Sequence, residues 1–184
     1  ILGHPCDMDP IMELAGKYKL AVIEDATESL GSLYRGQMVG HVGHIGCLSF
    51  NGNKMISTGG GGMIVTDNED WARRASCLTN QAKDDGEEYI HQEIGFNYRL
   101  SKIQAAVGCA QIEVLDEYVT TKRRIAGNYY DALAKVPGIS YLVEADWDDS
   151  ANWLFTIEVN PSEYGLTSRA LMERLKESGI QSRP

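Results

Sequence analysis

The chain has 184 residues, about one domain by length, with 43% apolar residues and a formal net charge of −9. That charge disfavours a non-specific grip on nucleic acid or an anionic membrane, and no apolar run approaches the roughly eighteen residues that cross a bilayer. The opening ILGHPCDMDP lacks the basic region, apolar core and cleavage site of a signal peptide, so the sequence reads as soluble and cytoplasmic.

Asp9-Pro10 predicts a helix start, with Asp9 as N-cap and Pro10 at the first helical position. Ile11, Leu14, Ala15 and Tyr18 follow at helical spacing as one apolar face. LAVIED (20–25) is a short apolar run ending in two acids, the pattern of a buried parallel strand emptying into a polar edge. IGCLSF (45–50) and GMIVTD (62–67) predict two further strands. DNEDWARRASCLTNQA (67–82) predicts a helix capped by Asp67 or Asn68, and KDDGEEYIHQEIGFNYR (83–99) a long loop. From Ser101 to about Lys135 the spacing is helical, with Gly108 and Gly127 as the points where it would break or bend.

After Pro137-Gly138 the pattern becomes β-β-α: ISYLV, WLFTIEV, then TSRALMERLKESG closed by Gly179. A domain boundary is therefore placed at the long helix, separating residues 1–120 from 121–184. Ile1 opens in what reads as the end of a strand, and GIQSRP begins another extended piece, so the sequence reads as a segment of a longer protein. Cys6, Cys47, Cys77 and Cys109 form no C-x-x-C pair and read as small buried groups in a reducing compartment.

The chemistry concentrates in CLSFNGNKMISTGGGGMIVT, where Lys54 precedes four glycines. A phosphate-binding G-x-x-x-x-G-K-[ST] loop would need the lysine after the glycines, and neither GHVGHIG nor GGGGM fits the dinucleotide fingerprint G-x-G-x-x-G. His41 and His44 lack the further ligands of a metal site, so no metal is predicted. GHIGCLSF is not the G-x-S-x-G of a serine hydrolase. What remains is Lys54 with Asp25, each following a predicted strand, where ligands of open α/β sheets bind. A lysine amine can condense with an aldehyde, and a carboxylate beside a pyridine nitrogen keeps it protonated. Those are the parts of a pyridoxal phosphate site, although on composition alone a surface lysine and a strand-end acid is the simpler reading.

Two longer stretches decide between these. IEDATESLGSLYRGQMVGHVGHIGCLSFNGNKMISTGGGGMIVT and EIGFNYRLSKIQAAVGCAQIEVLDEYVTTKRRIAGNYYDAL resemble, in order, the signatures of the DegT/DnrJ/EryC1/StrS sugar aminotransferases. The resemblance implies an α/β fold: the three-layer α/β/α sandwich of the fold-type-I pyridoxal phosphate (PLP) enzymes' major domain, plus part of a small α+β C-terminal domain. It implies that Lys54 is the lysine joined covalently to PLP, that Asp25 meets the pyridine nitrogen and that Ser49 binds the phosphate. Asn97 matches an asparagine that reaches the phosphate from a neighbouring subunit, which implies a homodimer with a shared active site.

Glu28 stands where Gln or His is common, near the cofactor's ring oxygen. A carboxylate there would repel a phenolate, so it is expected to be protonated or turned towards a hydrogen-bond donor. Gly60 stands where many members have Glu. These departures resemble the branch acting on nucleotide-linked 4-keto-6-deoxy sugars, with L-glutamate as donor, in amino-sugar and surface-polysaccharide biosynthesis. The family's glycine-containing phosphate loop and ring-stacking aromatic would lie upstream of Ile1, and further substrate residues beyond Pro184. Two alternatives stay open: a truncated or cofactor-free homologue with a regulatory or interaction role, and a PLP-dependent sugar dehydratase. A sister branch that dehydrates carries His in place of the lysine, which Lys54 argues against.

Overall fold

The computed structural model of the chain describes residues 1–83 and 87–184; three residues of the expected loop, 84–86, lie outside them. Helix α1 spans Met8–Tyr18, and strand β1, Ile23–Asp25, follows it. A tight hairpin of β2 (Leu33–Tyr34) and β3 (Gln37–Met38) precedes β4 (Ile45–Ser49) and β5 (Gly62–Val65). β1 pairs with β4 in parallel and β4 with β5 antiparallel, giving the order β1-β4-β5. Helix α2 (Glu69–Thr79) is capped by Asn68, whose side chain accepts from Trp71 N at 3.0 Å, one of the two caps expected.

Several local expectations shift. The N-cap of α1 is Asp7, not Asp9. The Asp7 carboxylate accepts from the Tyr34 hydroxyl at 2.7 Å, while Asp9 N donates to the same oxygen at 2.9 Å. Asp9 and Pro10 thus fall inside the first turn, where proline's missing N–H costs nothing. Of the apolar face read for α1, only Ala15 is buried, joined by Met8. β1 is an edge strand, and its Ile23 is 64% exposed while Glu24 is buried. Glu24 tolerates burial because its carboxylate accepts from Gly40 N, at 2.9 Å, and from Gly43 N.

The helical stretch after Ser101 divides at neither glycine. Helix α3, Lys102–Ile112, opens with a capping box between Ser101 and Gln104. Helix α4 starts at Leu115, after Val114 leaves helical geometry at φ −113°, ψ 11°, and runs to Leu133. Gly108 sits inside α3 because a Cβ there would press on the Thr58 methyl. The C-terminal part contains β6 (Ile139–Tyr141), β7 (Asp148–Asp149), β8 (Ile157–Val159), the short α5 (Pro161–Tyr164) and α6 (Ser168–Glu177). β6 and β8 pair antiparallel. Only the last three residues of WLFTIEV are strand, because Trp153 is drawn away into the core, 6% exposed.

That core joins distant parts of the chain. Phe50, Met55, Ile56, Leu115, Val119 and Ala151 pack together, with Leu30 and Leu48 against them. β7 pairs with β2, Leu33 opposite Asp149, so residues 148–153 return to the first half. His4 and Asp148 meet at 2.6 Å. Ser32, fully buried, donates to the Gly3 carbonyl and accepts from Ala151 N at 2.9 Å. Ser32→Ala leaves a buried donor and acceptor without partners, and the expected loss is about 1–3 kcal/mol of stability, read from the urea midpoint at unchanged slope.

Candidate active site

β1 and β4 run side by side in the same direction, with Asp25 in register with Cys47. Their carboxyl ends therefore open on one edge, the usual ligand edge of an α/β sheet. Ser49 closes β4, and the chain turns immediately: Lys54 N donates to Asn51 O at 3.0 Å, and Thr58 N returns to Phe50 O at 3.0 Å. Buried Met55 and Ile56 anchor the turn from behind. Gly61, at φ +91°, and Gly62, where a Cβ would collide with the Leu48 carbonyl, let the chain re-enter the sheet as β5. At Gly59 and Gly60 an added Cβ would meet nothing within 4 Å. The glycine block thus combines a tight return with bare backbone beside the lysine.

The Lys54 side chain is withdrawn from solvent, 13% exposed. Its Nζ lies 3.7 Å from Glu28 Oε1 and 4.0 Å from the centroid of the Trp153 ring. Trp153 is held in turn by its Nε1, which donates to Asn53 O at 2.7 Å. The other Glu28 oxygen accepts from Leu2 N at 2.8 Å. Glu28 is thus turned towards one hydrogen-bond donor, Leu2 N, one of the two arrangements expected for it.

Asp25 is the electrostatic counterpart. The Thr27 hydroxyl and the Thr27 backbone N–H, the latter at 3.2 Å, hold its carboxyl below the ordinary aspartate value of 3.8. Burial opposes these hydrogen bonds, and the Lys54 charge adds a smaller push in their direction. Ser49 Oγ accepts a long hydrogen bond from Asn51 N at 3.4 Å. Lys54 and Glu28 are therefore brought together, Ser49 stands at the head of the same turn, and Asp25 ends the neighbouring parallel strand, exposed at the same edge. Asn97 is exposed on the segment between α2 and α3, its backbone bridged to Asn80. Among the described residues no side-chain hydrogen bond ties it to the other four.

Two contributors escaped the sequence reading. Trp153 reads as a strand residue and lies 100 positions from the carbonyl that anchors it, so no local pattern announces it. Glu24 reads as one of two strand-end acids; only period-two alternation hints that it faces opposite to Asp25. His44 Nδ1 accepts from Val22 N at 2.9 Å, and among the described residues no group of His, Cys, Asp or Glu is arranged to hold a metal ion. No helix among them is long and apolar enough to cross a membrane.

Residues 1–184 match the DegT/DnrJ/EryC1/StrS aminotransferase family along their whole length. The chain belongs to that family. It is 43% identical over 184 residues to the "putative pyridoxal phosphate-dependent aminotransferase EpsN" of Bacillus subtilis, covering 100% of this chain and 47% of that protein. It is 38% identical to a GDP-perosamine synthase of Caulobacter vibrioides, covering 100% of this chain and 50% of the relative. Among solved structures, S. venezuelae DesV in complex with a ketimine intermediate superposes with a TM-score of 0.89 at 32% identity, over 98% of this chain and 47% of that one. This DegT/DnrJ/EryC1/StrS chain thus has the α/β fold of its family and spans about half the length of the curated relatives it matches.

Asp25 gives this site a pH signature. Its folded pKa is lowered, so its ionised form favours the fold above the ordinary aspartate value of 3.8, and that contribution is lost as pH falls through the lower folded value. Thr27→Val removes the hydroxyl but keeps the N–H. The Asp25 titration midpoint, followed by carboxyl-carbon NMR, is expected to move upward; an unmoved midpoint would refute the assigned cause.

Proposed function

We propose that this chain carries the lysine-bearing part of a PLP-dependent aminotransferase that passes an amino group from L-glutamate to a nucleotide-linked 4-keto-6-deoxy sugar. The observation that carries the reading is a shielded Lys54 amine on the turn that leaves β4, at the carboxyl edge of two parallel strands of which the other ends in Asp25. The names of the B. subtilis and C. vibrioides relatives support both the cofactor and a sugar product.

The residues present fit the cofactor: an amine for its aldehyde, an anion for its ring nitrogen, a strand-end hydroxyl for its phosphate and uncrowded glycine backbone beside them. When bound, PLP supplies an electron-withdrawing ring that spreads the negative charge left on carbon after proton removal. Lys54 Nζ would hold it, and as a free amine would take the α-proton of the amino donor and hand a proton back, as base and then acid. Asp25, ionised, would keep the proton on the ring nitrogen by charge. Ser49 Oγ, which now accepts from Asn51 N, would serve the phosphate, and Glu28, held by Leu2 N, would serve the ring oxygen.

In the same reading Asn97, exposed and without a side-chain partner among these groups, serves the phosphate of a second subunit in a homodimer with a shared active site. Residues 1–120 belong to the PLP-binding major domain and 121–184 to the linking helix and small domain. The setting is cytoplasmic amino-sugar synthesis for surface polysaccharide.

Incubation with PLP is expected to give visible absorbance and, after borohydride reduction, a cofactor-modified peptide at Lys54. L-glutamate with a GDP-linked 4-keto-6-deoxy sugar is expected to release 2-oxoglutarate. Lys54→Ala is expected to abolish the labelled peptide and to lower turnover by about 10²–10⁴-fold or more. Full transamination by that variant would overturn the reading.

A further inference from the structure

We infer that Trp153 is a positioning residue for the Lys54 amine: its indole face aims Nζ whenever that nitrogen is not joined to the cofactor. The inference rests on the reading of Lys54 as the cofactor-binding lysine. The geometry is that of a cation over a ring, with Nζ 4.0 Å from the centroid and within the range over which a lysine is attracted to an indole face. Glu28 supplies charge at 3.7 Å, a separation beyond hydrogen-bond reach, so it draws the ammonium without giving it a direction. The flat ring supplies the direction.

The platform itself is fixed. Trp153 Nε1 donates to Asn53 O, the carbonyl immediately before Lys54, so ring and lysine are registered to the same turn. Trp153 O accepts from Lys122 Nζ of α4 at 2.9 Å. The residues leading to it are equally held: Asn152 adopts φ +50°, Asn152 N donates to the Ser150 hydroxyl at 3.0 Å, and Arg123 Nε donates to Ser150 O at 2.8 Å. A lysine has four rotatable side-chain bonds and scatters its amine unless a fixed partner restrains it. The structure gives Lys54 that partner in a ring whose own freedom has been removed. A merely structural tryptophan would fill space without requiring its face, and that difference makes the two roles separable.

The test uses the full chain in its solution assembly. Reductive methylation of the cofactor-free protein with ¹³C-formaldehyde keeps the lysine charges and labels Lys54, whose resonance is assigned by its absence in Lys54→Arg. An upfield displacement from the indole ring current is expected, retained in Trp153→Phe and lost in Trp153→Leu. Covalent attachment of PLP, trapped with borohydride, is expected to slow by about tenfold in Trp153→Leu and to recover most of that loss in Trp153→Phe. The displacement is read on the wild-type chain, so it decides the matter even if the leucine variant fails to fold. An unshifted wild-type resonance, or attachment to Trp153→Leu at the wild-type rate, overturns the inference while leaving the proposed function standing. If the wild-type chain attaches no PLP at Lys54, the functional reading fails first and this one falls with it.

Discussion

Because β1 and β4 lie side by side and point the same way, the residues that end them are delivered to a single edge of the sheet. Asp25 ends one strand and Ser49 the other, and the register of Asp25 on Cys47 sets how far apart they stand. A slip of one residue would exchange Asp25 and Glu24 between faces, since side chains alternate along a strand. The strand pair is thus the ruler against which the lysine turn is measured. β5 then holds that turn closed from the antiparallel side, Ser49 opposite Gly62.

Three carboxylates within five positions have been given different work by this frame. Glu24 faces inward and binds the backbone N–H groups of Gly40 and Gly43, fixing the loop that leads into β4. Asp25 faces the open edge and stays ionised through Thr27. Glu28, past the strand, links the Leu2 backbone to the lysine. The difference between them lies in what each carboxylate is offered. Buried N–H groups make a structural staple of Glu24, while the hydroxyl and backbone N–H of Thr27 make Asp25 a standing negative charge.

Much of this was legible before any coordinates. The strands 45–49 and 62–65 stand where apolar runs bounded by glycine predict them, and the Asn68 cap and the Ser101 start of α3 follow from local side-chain chemistry. The strand ends that carry Asp25 and precede Lys54 were readable because each apolar run stops at a polar residue. Local signals failed where tertiary contacts outweighed them. Tyr34 captured Asp7 and moved the start of α1, and packing against Thr58 kept Gly108 inside a helix. Trp153 left the strand its neighbours predicted because Asn53 O and the core accommodated it. No window of sequence contains both partners of such a contact, so no periodicity can reveal it.

The same separation in the chain bears on when the site can exist. Asn53 and Trp153 are 100 positions apart, Ser32 and Ala151 119, and His4 and Asp148 144. During synthesis the strands β1, β4 and β5 emerge before Trp153, and the lysine turn then waits, uncovered, until the ribosome has released the stretch that caps it. Closing a loop of that span is slow compared with forming helices from neighbours in sequence. The nascent chain therefore has its strand scaffold in hand before its chemical centre, and the Lys54 amine is sheltered only once Trp153 has emerged.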